Sequence, residues 1–272
     1  MNLKFYSVKN VQRFLFAGIM MLALSISISA QDRTPAKAYN EGLTELKAKN
    51  YEAGLTLMEE ALSLSEEGKD DKVIRLSKKN GAIAAYNLAK AKKEAGMMDE
   101  ALALYDKGIE FNPDYVNNFS GKAVVLQGKG DQMGAMSAFI KAGDVYPEDK
   151  ADRAAKMYKR AQNIVGKMYT GKSYDEGIAA GKAFLEMRPN NAEVNYFVAR
   201  CMIEKAQNDE ALAHADNAIT LAGDAPEDKY YNAKGMALEN LGKSADAIAT
   251  YKMVSGEKYK KQAEYRIQKL GS

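Results

Sequence analysis

One segment of the chain has the spacing of a phosphate-binding loop. Gly166, Gly171, Lys172 and Ser173 follow the pattern G-x4-G-K-S, in which backbone N–H groups and the lysine cradle phosphate groups. Such a loop requires a buried strand before it and a helix that starts at the lysine-serine pair. Here the preceding residues, 157–165, have the apolar spacing of an amphipathic helix. We therefore interpret this segment as a helix followed by a turn, and not as a nucleotide site.

The other residue types that commonly do chemistry are scarce. His214 is the only histidine and Cys201 is the only cysteine, so the chain lacks the set of His and Cys ligands from which zinc sites are usually built. A catalytic histidine would need a partner nucleophile, and no serine or cysteine pattern indicates one. The sequence therefore predicts no catalytic residues, no metal site and no cofactor, and we expect the protein not to be an enzyme.

The N-terminus has the composition of an export signal. Three basic residues precede an apolar run over 14–24, and a small, polar stretch follows over 25–30. This order predicts a signal peptide over residues 1–30, because the apolar run is shorter than the roughly 20 residues of a membrane span. An uncleaved membrane anchor is the alternative. We expect an exported protein in the periplasm, with secretion or association with the outer membrane as the other locations.

Charge and composition narrow the class of protein further. The chain has 39 basic and 36 acidic residues, and three of the basic residues lie in 1–30, so the remainder is balanced at 36 of each. Without a basic excess, a nucleic-acid partner is not expected. Five prolines, no tryptophan and many good helix formers predict an all-helical body with no membrane span after signal removal.

A pattern of small, aromatic and proline residues recurs along the body of the chain. Ala101 recurs as Ala135 and Pro113 recurs as Pro147, with the same step along the chain in both cases. A fixed period of this length is typical of a repeat array, in which each unit buries its apolar face only against its neighbours.

This pattern resembles the tetratricopeptide repeat (TPR), a helix-turn-helix unit of about 34 residues. The last copy fits well, with Tyr231, Gly235, Leu238, Ala247 and Tyr251 at the small and aromatic positions. The resemblance covers about 35–270. It implies an all-α fold, a right-handed α-solenoid of about six TPR-like helical hairpins with a C-terminal capping helix.

The breakers and markers divide the chain into successive units. We predict a signal peptide at 1–30, a disordered lead-in at 31–36, hairpins at 37–67, 70–113, 115–147, 149–190, 191–222 and 228–256, and a capping helix at 257–270. Two of the steps between repeat markers, from Gly54 to Ala101 and from Ala135 to Gly177, are longer than the usual repeat. These long steps predict extra helical residues at 70–80 and 149–156.

In tetratricopeptide repeats the first helix of each hairpin lines a concave groove, so the resemblance implies which residues would meet a partner. These inward positions are Tyr39, Asn40, Tyr86, Asn87, Lys90, Asn163, Tyr196, Arg200 and Asn232. Tyr, Asn and Arg suit the capture of an extended peptide, because they combine contact area with hydrogen-bonding groups. The family's chaperone-tail binders use a clamp of Lys, Asn and Arg, but Tyr39 stands where the first Lys would be, so that specificity is not expected here.

The sequence thus predicts a scaffold of the bacterial cell envelope that binds a protein or peptide in its groove. Two alternatives remain open. One is an assembly factor that docks a larger complex through its convex or terminal surfaces. The other is a glycan-binding accessory protein whose groove tyrosines stack on sugars.

Overall fold

The computed structural model describes residues 33–272. Over these residues the chain forms thirteen α-helices and one short 3-10 helix, with no β-strand. The prediction of an all-α fold is confirmed. The predicted signal peptide at 1–30 lies outside the described residues. Across residues 33–272, no helix combines the length and the apolarity that crossing a bilayer requires.

The helices form six antiparallel hairpins, each with a first helix (A) and a second helix (B). The A helices are α1 (Pro35–Lys47), α3 (Asp71–Glu94), α5 (Val116–Gly128), α7 (Ala151–Thr170), α9 (Ala192–Glu204) and α11 (Asp228–Asn240). The B helices are α2 (Tyr51–Leu64), α4 (Met98–Phe111), α6 (Gln132–Asp144), α8 (Tyr174–Met187), α10 (Asn208–Ala222) and α12 (Ser244–Tyr251). Helix α13 (Glu257–Gly271) follows the last hairpin, and the 3-10 helix (Glu148–Lys150) precedes α7.

Each hairpin packs against the hairpins beside it in the chain. Each of the first five B helices contacts both its own A helix and the next one, and the last, α12, contacts α11. A helices contact each other in the pairs α1–α3, α3–α5, α7–α9 and α9–α11. Helix α13 covers the end of the array by packing on α11 and α12. This arrangement confirms the predicted solenoid of six hairpins with a capping helix, in which neighbours bury one another's apolar faces.

The stacking differs at the junction between the third and fourth hairpins. There the B helices α6 and α8 contact each other, and the 3-10 turn Glu148–Lys150 lies immediately before α7. The sequence predicted one continuous long helix from 149, whereas the structure has this turn and begins α7 at Ala151. Pro147 precedes the turn in an extended conformation.

All six A helices end in the same way. In each hairpin one residue of the A–B turn has a positive φ, and the next N–H donates to a carbonyl five residues back, which together form a Schellman cap. The six positive-φ residues are Lys49, Gly96, Gly130, Lys172, Ala206 and Gly242. Three of them are not glycine, so half of the hairpins adopt this turn against the steric preference of a side chain.

Two helix boundaries differ from the sequence prediction. Helix α1 begins at Pro35 with Thr34 as its N-cap, so the prediction of a disordered lead-in is wrong for residues 35 and 36. Proline at the first helical position costs no hydrogen bond, and the Thr34 side chain accepts from the N–H of Lys37. Helix α12 ends at Tyr251, before the predicted end at Val254.

Candidate partner-binding face

The segment with phosphate-loop spacing lies in a helix and a turn. Gly166 is a buried residue of α7, and its α-carbon is packed against the ring of Phe197. Lys172 is the positive-φ residue of the A–B turn. Within the described residues a helix, and not a strand, leads into this turn. The sequence resemblance to a nucleotide site therefore has no structural counterpart.

His214 has a structural partner. Its Nδ1 lies 2.8 Å from Oδ1 of Asn195, and the Asn195 amide nitrogen donates to the carbonyl of Asn191, so the imidazole Nδ1 is the donor of the pair. Burial lowers the pKa of His214, and the nearby Lys182 lowers it further. The neutral imidazole thus joins α10 to α9. Among residues 33–272, no group of three or more His, Cys, Asp or Glu side chains is arranged to hold a metal ion.

The predicted site residues of α1 and α3 differ in exposure and in how far their polar groups already form hydrogen bonds. Asn40 and Lys90 are exposed, whereas half-buried Tyr39 accepts a hydrogen bond from the amide of Asn80 at 3.1 Å. The Asn87 amide donates to the carbonyl of Ile83 in its own helix. Asn40 and Lys90 therefore present polar groups to solvent, and Asn87 keeps its amide oxygen and one amide N–H outside this bond.

Tyr86 belongs to an aromatic cluster that spans two hairpins. Its ring meets that of Tyr115 edge-on, with the centroids 5.9 Å apart, and lies 6.1 Å from that of Tyr105. Tyr105 is buried, and burial raises its pKa to about 12. Tyr86 is half-buried, so it presents part of its ring from a position that its neighbours fix.

Two of the predicted site residues are not accessible, and this corrects the sequence prediction. Tyr196 is 6% exposed and Asn232 is 1% exposed. Tyr196 packs against the rings of Phe197 and Tyr230, and the amide of Asn232 faces Gln262 of α13 at 3.4 Å. The capping helix and the adjacent A helices bury both side chains, so neither can serve as an open contact for a ligand.

Arg200, another member of the predicted set, lies between an aromatic ring and a carboxylate. Its guanidinium lies 5.2 Å from the centre of the Tyr169 ring, and its Nη2 is 3.8 Å from a carboxylate oxygen of Glu204. The Arg200 Nε is buried and has no hydrogen-bond partner among the described residues. Because the side chain is still 13% exposed, part of Arg200 reaches the surface beside an aromatic ring, although its Nε does not.

Asn163, the remaining member of the set, is exposed on α7. Tyr169 lies on the same helix, and its ring also packs on Phe197 of α9 at a centroid distance of 6.3 Å. Asn163, Tyr169 and Arg200 thus offer an amide, an aromatic ring and a cation from two neighbouring A helices. We call the exposed parts of Asn40, Tyr86, Lys90, Asn163, Tyr169 and Arg200 the A-helix face.

Sequence reasoning missed several residues of this region. Lys229 bonds to Glu193 at 2.6 Å and to Glu227 at 2.9 Å, and it lies above the rings of Tyr196 and Tyr230. Tyr230 stands one repeat length after Tyr196, and this spacing could have located it. Lys229, its two carboxylate partners and the two rings contact one another, so they form the boundary of the A-helix face at the side of α11.

Comparison with known proteins gives similarity in architecture only. No family profile matches the chain, and no curated protein matches it. Among solved structures, the chain is similar to the TPR2AB domain of yeast Sti1 in its pHSP90 complex, at 16% identity over 88% of this chain and 98% of that one, with a TM-score of 0.37. It is also similar to YrrB, a TPR protein with an unusual peptide-binding site, at 19% identity over 63% and 83% of the two chains, with a TM-score of 0.36. A thermophilic TPR protein of Thermus thermophilus gives 14% identity over 87% and 98%, with a TM-score of 0.31.

Proposed function

We propose that this chain is a non-catalytic scaffold that holds a protein or peptide partner on its A-helix face. The proposal rests on Arg200, whose guanidinium is positioned by Tyr169 and whose side chain is 13% exposed. A guanidinium recognises carboxylates and backbone carbonyls. Tyr86 and Asn163 supply ring surface and an amide on other A helices, as the recognition of an extended chain requires.

The A-helix face offers many moderate contacts on a stiff frame instead of one reactive centre. Its aromatic rings are fixed by other rings, as Tyr86 is by Tyr115, so little side-chain freedom is lost when a partner binds. We therefore expect binding that depends on a few anchors, Arg200 foremost, with the remaining contacts contributing little individually.

The site of action is part of the proposal. The export signal predicted at 1–30 supports a place in the bacterial cell envelope, most simply the periplasm. Expression of the full chain with a C-terminal tag, followed by fractionation and sizing, tests this directly. A periplasmic species shortened by about 30 residues supports it, and a full-length cytoplasmic species contradicts it.

The binding proposal is tested by crosslinking in envelope extract, with bound proteins quantified by mass spectrometry. We expect Arg200→Gln combined with Tyr86→Ala to lose the partner that the unmodified chain captures, with an unchanged helical circular dichroism spectrum. The matched control is Arg188→Gln, because Arg188 also pairs with a carboxylate, Asp144 at 3.0 Å, and lies over a ring, Tyr158. Equal capture by both variants would contradict the proposal.

A second candidate function is docking through the C-terminal end of the array. Met253 and Tyr265 are 58% and 67% exposed there, more than any other large apolar side chain within residues 33–272. If Met253→Ser with Tyr265→Ser loses the partner while Arg200→Gln retains it, the docking function is favoured. The glycan alternative gains no support from Tyr196, because its ring is buried.

A further inference from the structure

The extra residues of α3 create a pocket beyond the end of α4. Helix α4 ends at Phe111, whose ring is packed against the α-carbon of Gly81. The residues of α3 before Gly81 therefore extend past the end of their hairpin partner. Together with the end of α2 and the α4–α5 turn, this extension encloses a pocket of about 870 Å³, which we call the overhang pocket.

The overhang pocket combines an apolar floor with a basic wall. Half-buried Leu62, Ile74 and Phe111 line it from α2, α3 and α4. Arg75, Lys78 and Lys79 line it from successive turns of α3. None of these three cations is within ion-pairing distance of a carboxylate in the described part of the chain, where seventeen other ion pairs form.

The three cations repel one another, because residues three and four apart on a helix are neighbours on its surface. The carboxylates that also line the pocket, Glu67, Asp71 and Glu110, do not relieve this repulsion by direct pairing. Asp71 instead accepts the N–H of Gly68. A bound anionic group beside α3 would relieve the repulsion among the three cations. Because Glu110 on the α4 side repels such a group, it would direct the group toward α3.

We infer that the overhang pocket is a second docking site, for a partner segment in which an apolar side chain is flanked by carboxylates. The apolar side chain rests on Leu62, Ile74 and Phe111, and the carboxylates face Arg75, Lys78 and Lys79. The volume falls within the range of about 300–1,000 Å³ for binding pockets. An adjoining cavity of about 290 Å³ shares Leu62, Lys78 and Phe111, which leaves room for residues on either side of the anchor.

The direct test uses two fluorescein-labelled hexapeptides and the full mature chain. The acidic probe is Asp-Glu-Phe-Leu-Asp-Glu, and the basic probe, Lys-Lys-Phe-Leu-Lys-Lys, has the same apolar centre. Fluorescence anisotropy should show saturable binding of the acidic probe that weakens with salt, and no saturable binding of the basic probe. Absence of saturable binding by the acidic probe overturns the inference.

Variants in which basic residues are replaced by glutamate test whether the peptide binds in the overhang pocket. Arg75→Glu with Lys78→Glu should weaken the acidic probe by roughly tenfold, since two attractions become repulsions. Lys72→Glu with Lys252→Glu is the matched control, because it changes net charge equally at two exposed lysines that do not line the pocket. Equal weakening by both variants means that the peptide responds to overall charge, and this overturns the inference.

A third measurement separates this pocket from the A-helix face. Cys201 is fully buried, and burial raises its pKa to about 11, so an introduced Glu67→Cys, at an exposed lining residue that is not one of the three cations, can be labelled selectively with an environment-sensitive dye. The acidic probe should change the emission of this dye in the wild-type and Arg200→Gln backgrounds alike. An unchanged emission, or loss of probe binding caused by Arg200→Gln, places the peptide elsewhere and overturns the inference.

Discussion

The ring of Tyr251 lies directly against the α-carbon of Gly235, so that a methyl group on Gly235 would stand within 2.7 Å of Cδ1 and Cζ of the tyrosine. Tyr251 belongs to α12 and Gly235 to α11, so this contact sets the distance between the helices of the last hairpin. The same relationship joins Tyr105 with Gly121 and Phe197 with Gly166. Glycines of the repeat therefore leave room for aromatic rings of adjacent helices to pack against the backbone.

Substituting Gly235→Ala should destabilise the protein by about 1–3 kcal/mol, because the fully buried Tyr251 ring cannot move aside without disturbing the core. The measurement is the free energy of unfolding in urea. Gly128→Ala is the control, since a methyl group at that helical position meets nothing within 4 Å. It should be neutral or slightly stabilising. Equal effects of the two substitutions would contradict the role of the close contact.

Substituting Ala206→Gly should stabilise the protein by roughly 0.5–1 kcal/mol, because glycine removes the steric cost of a left-handed residue. Ala206 has a φ of 57° at the A–B turn of the fifth hairpin. Ala95→Gly is the matched control, since Ala95 precedes the equivalent turn in the second hairpin with a φ of −78°. That change should not stabilise. Thermal melting of both variants decides, and a lower melting temperature for Ala206→Gly would contradict the expectation.

Stability should fall on mild acidification because of His214. Burial lowers the pKa of this imidazole in the folded state below its ordinary value of about 6.5, so the unfolded chain takes up a proton first. The contribution of His214 is therefore complete above about pH 6.5 and is lost as the pH falls toward the folded-state pKa. Urea unfolding between about pH 8 and pH 5 measures the slope. His214→Gln should flatten it, and an identical slope in both proteins would exclude His214 as the cause.

The attachment of the capping helix should depend on Glu239. Its Oε2 accepts hydrogen bonds from the Tyr251 hydroxyl at 2.9 Å and from Nη1 of Arg266 in α13 at 2.5 Å. Glu239→Ala leaves the buried Tyr251 and the half-buried Arg266 without this acceptor. We expect faster amide hydrogen exchange over α13 and little change in α1 to α6. Glu264→Ala, at an exposed position of α13, should leave exchange unchanged, and equal exchange in both variants would contradict this role.

Much of the fold could be predicted from the sequence because the repeat makes local and tertiary signals agree. Ala101 and Ala135 lie in the B helices of successive hairpins and are both fully buried, so the repeat spacing reveals both the helices and their buried positions. Gly96 and Gly130 are the positive-φ residues of two of the turns, and glycine is the residue type that indicates such a turn in a sequence. Lys49 and Ala206 adopt the same turn without glycine, so residue type alone could not reveal their conformation.

The candidate site was less predictable, because accessibility depends on elements distant in the sequence. Asn232 occupies an A-helix position like those of the other residues in the predicted set, yet Gln262 of α13 faces it. Tyr196 is enclosed in part by Tyr230. The resemblance indicated which residues share a helix face, but only the packed structure distinguishes an open position from one that the capping helix closes.

The neighbour-to-neighbour packing of the hairpins also determines the mechanical response of the protein. The contacts that join the hairpins are mainly between neighbours. A force applied to the two ends of the array is therefore transmitted through each interface in turn. The junction at Glu148–Lys150, where the B helices α6 and α8 meet, differs from the rest and divides the array into two segments. A partner that binds both segments would therefore connect them and make the whole molecule shorter and stiffer.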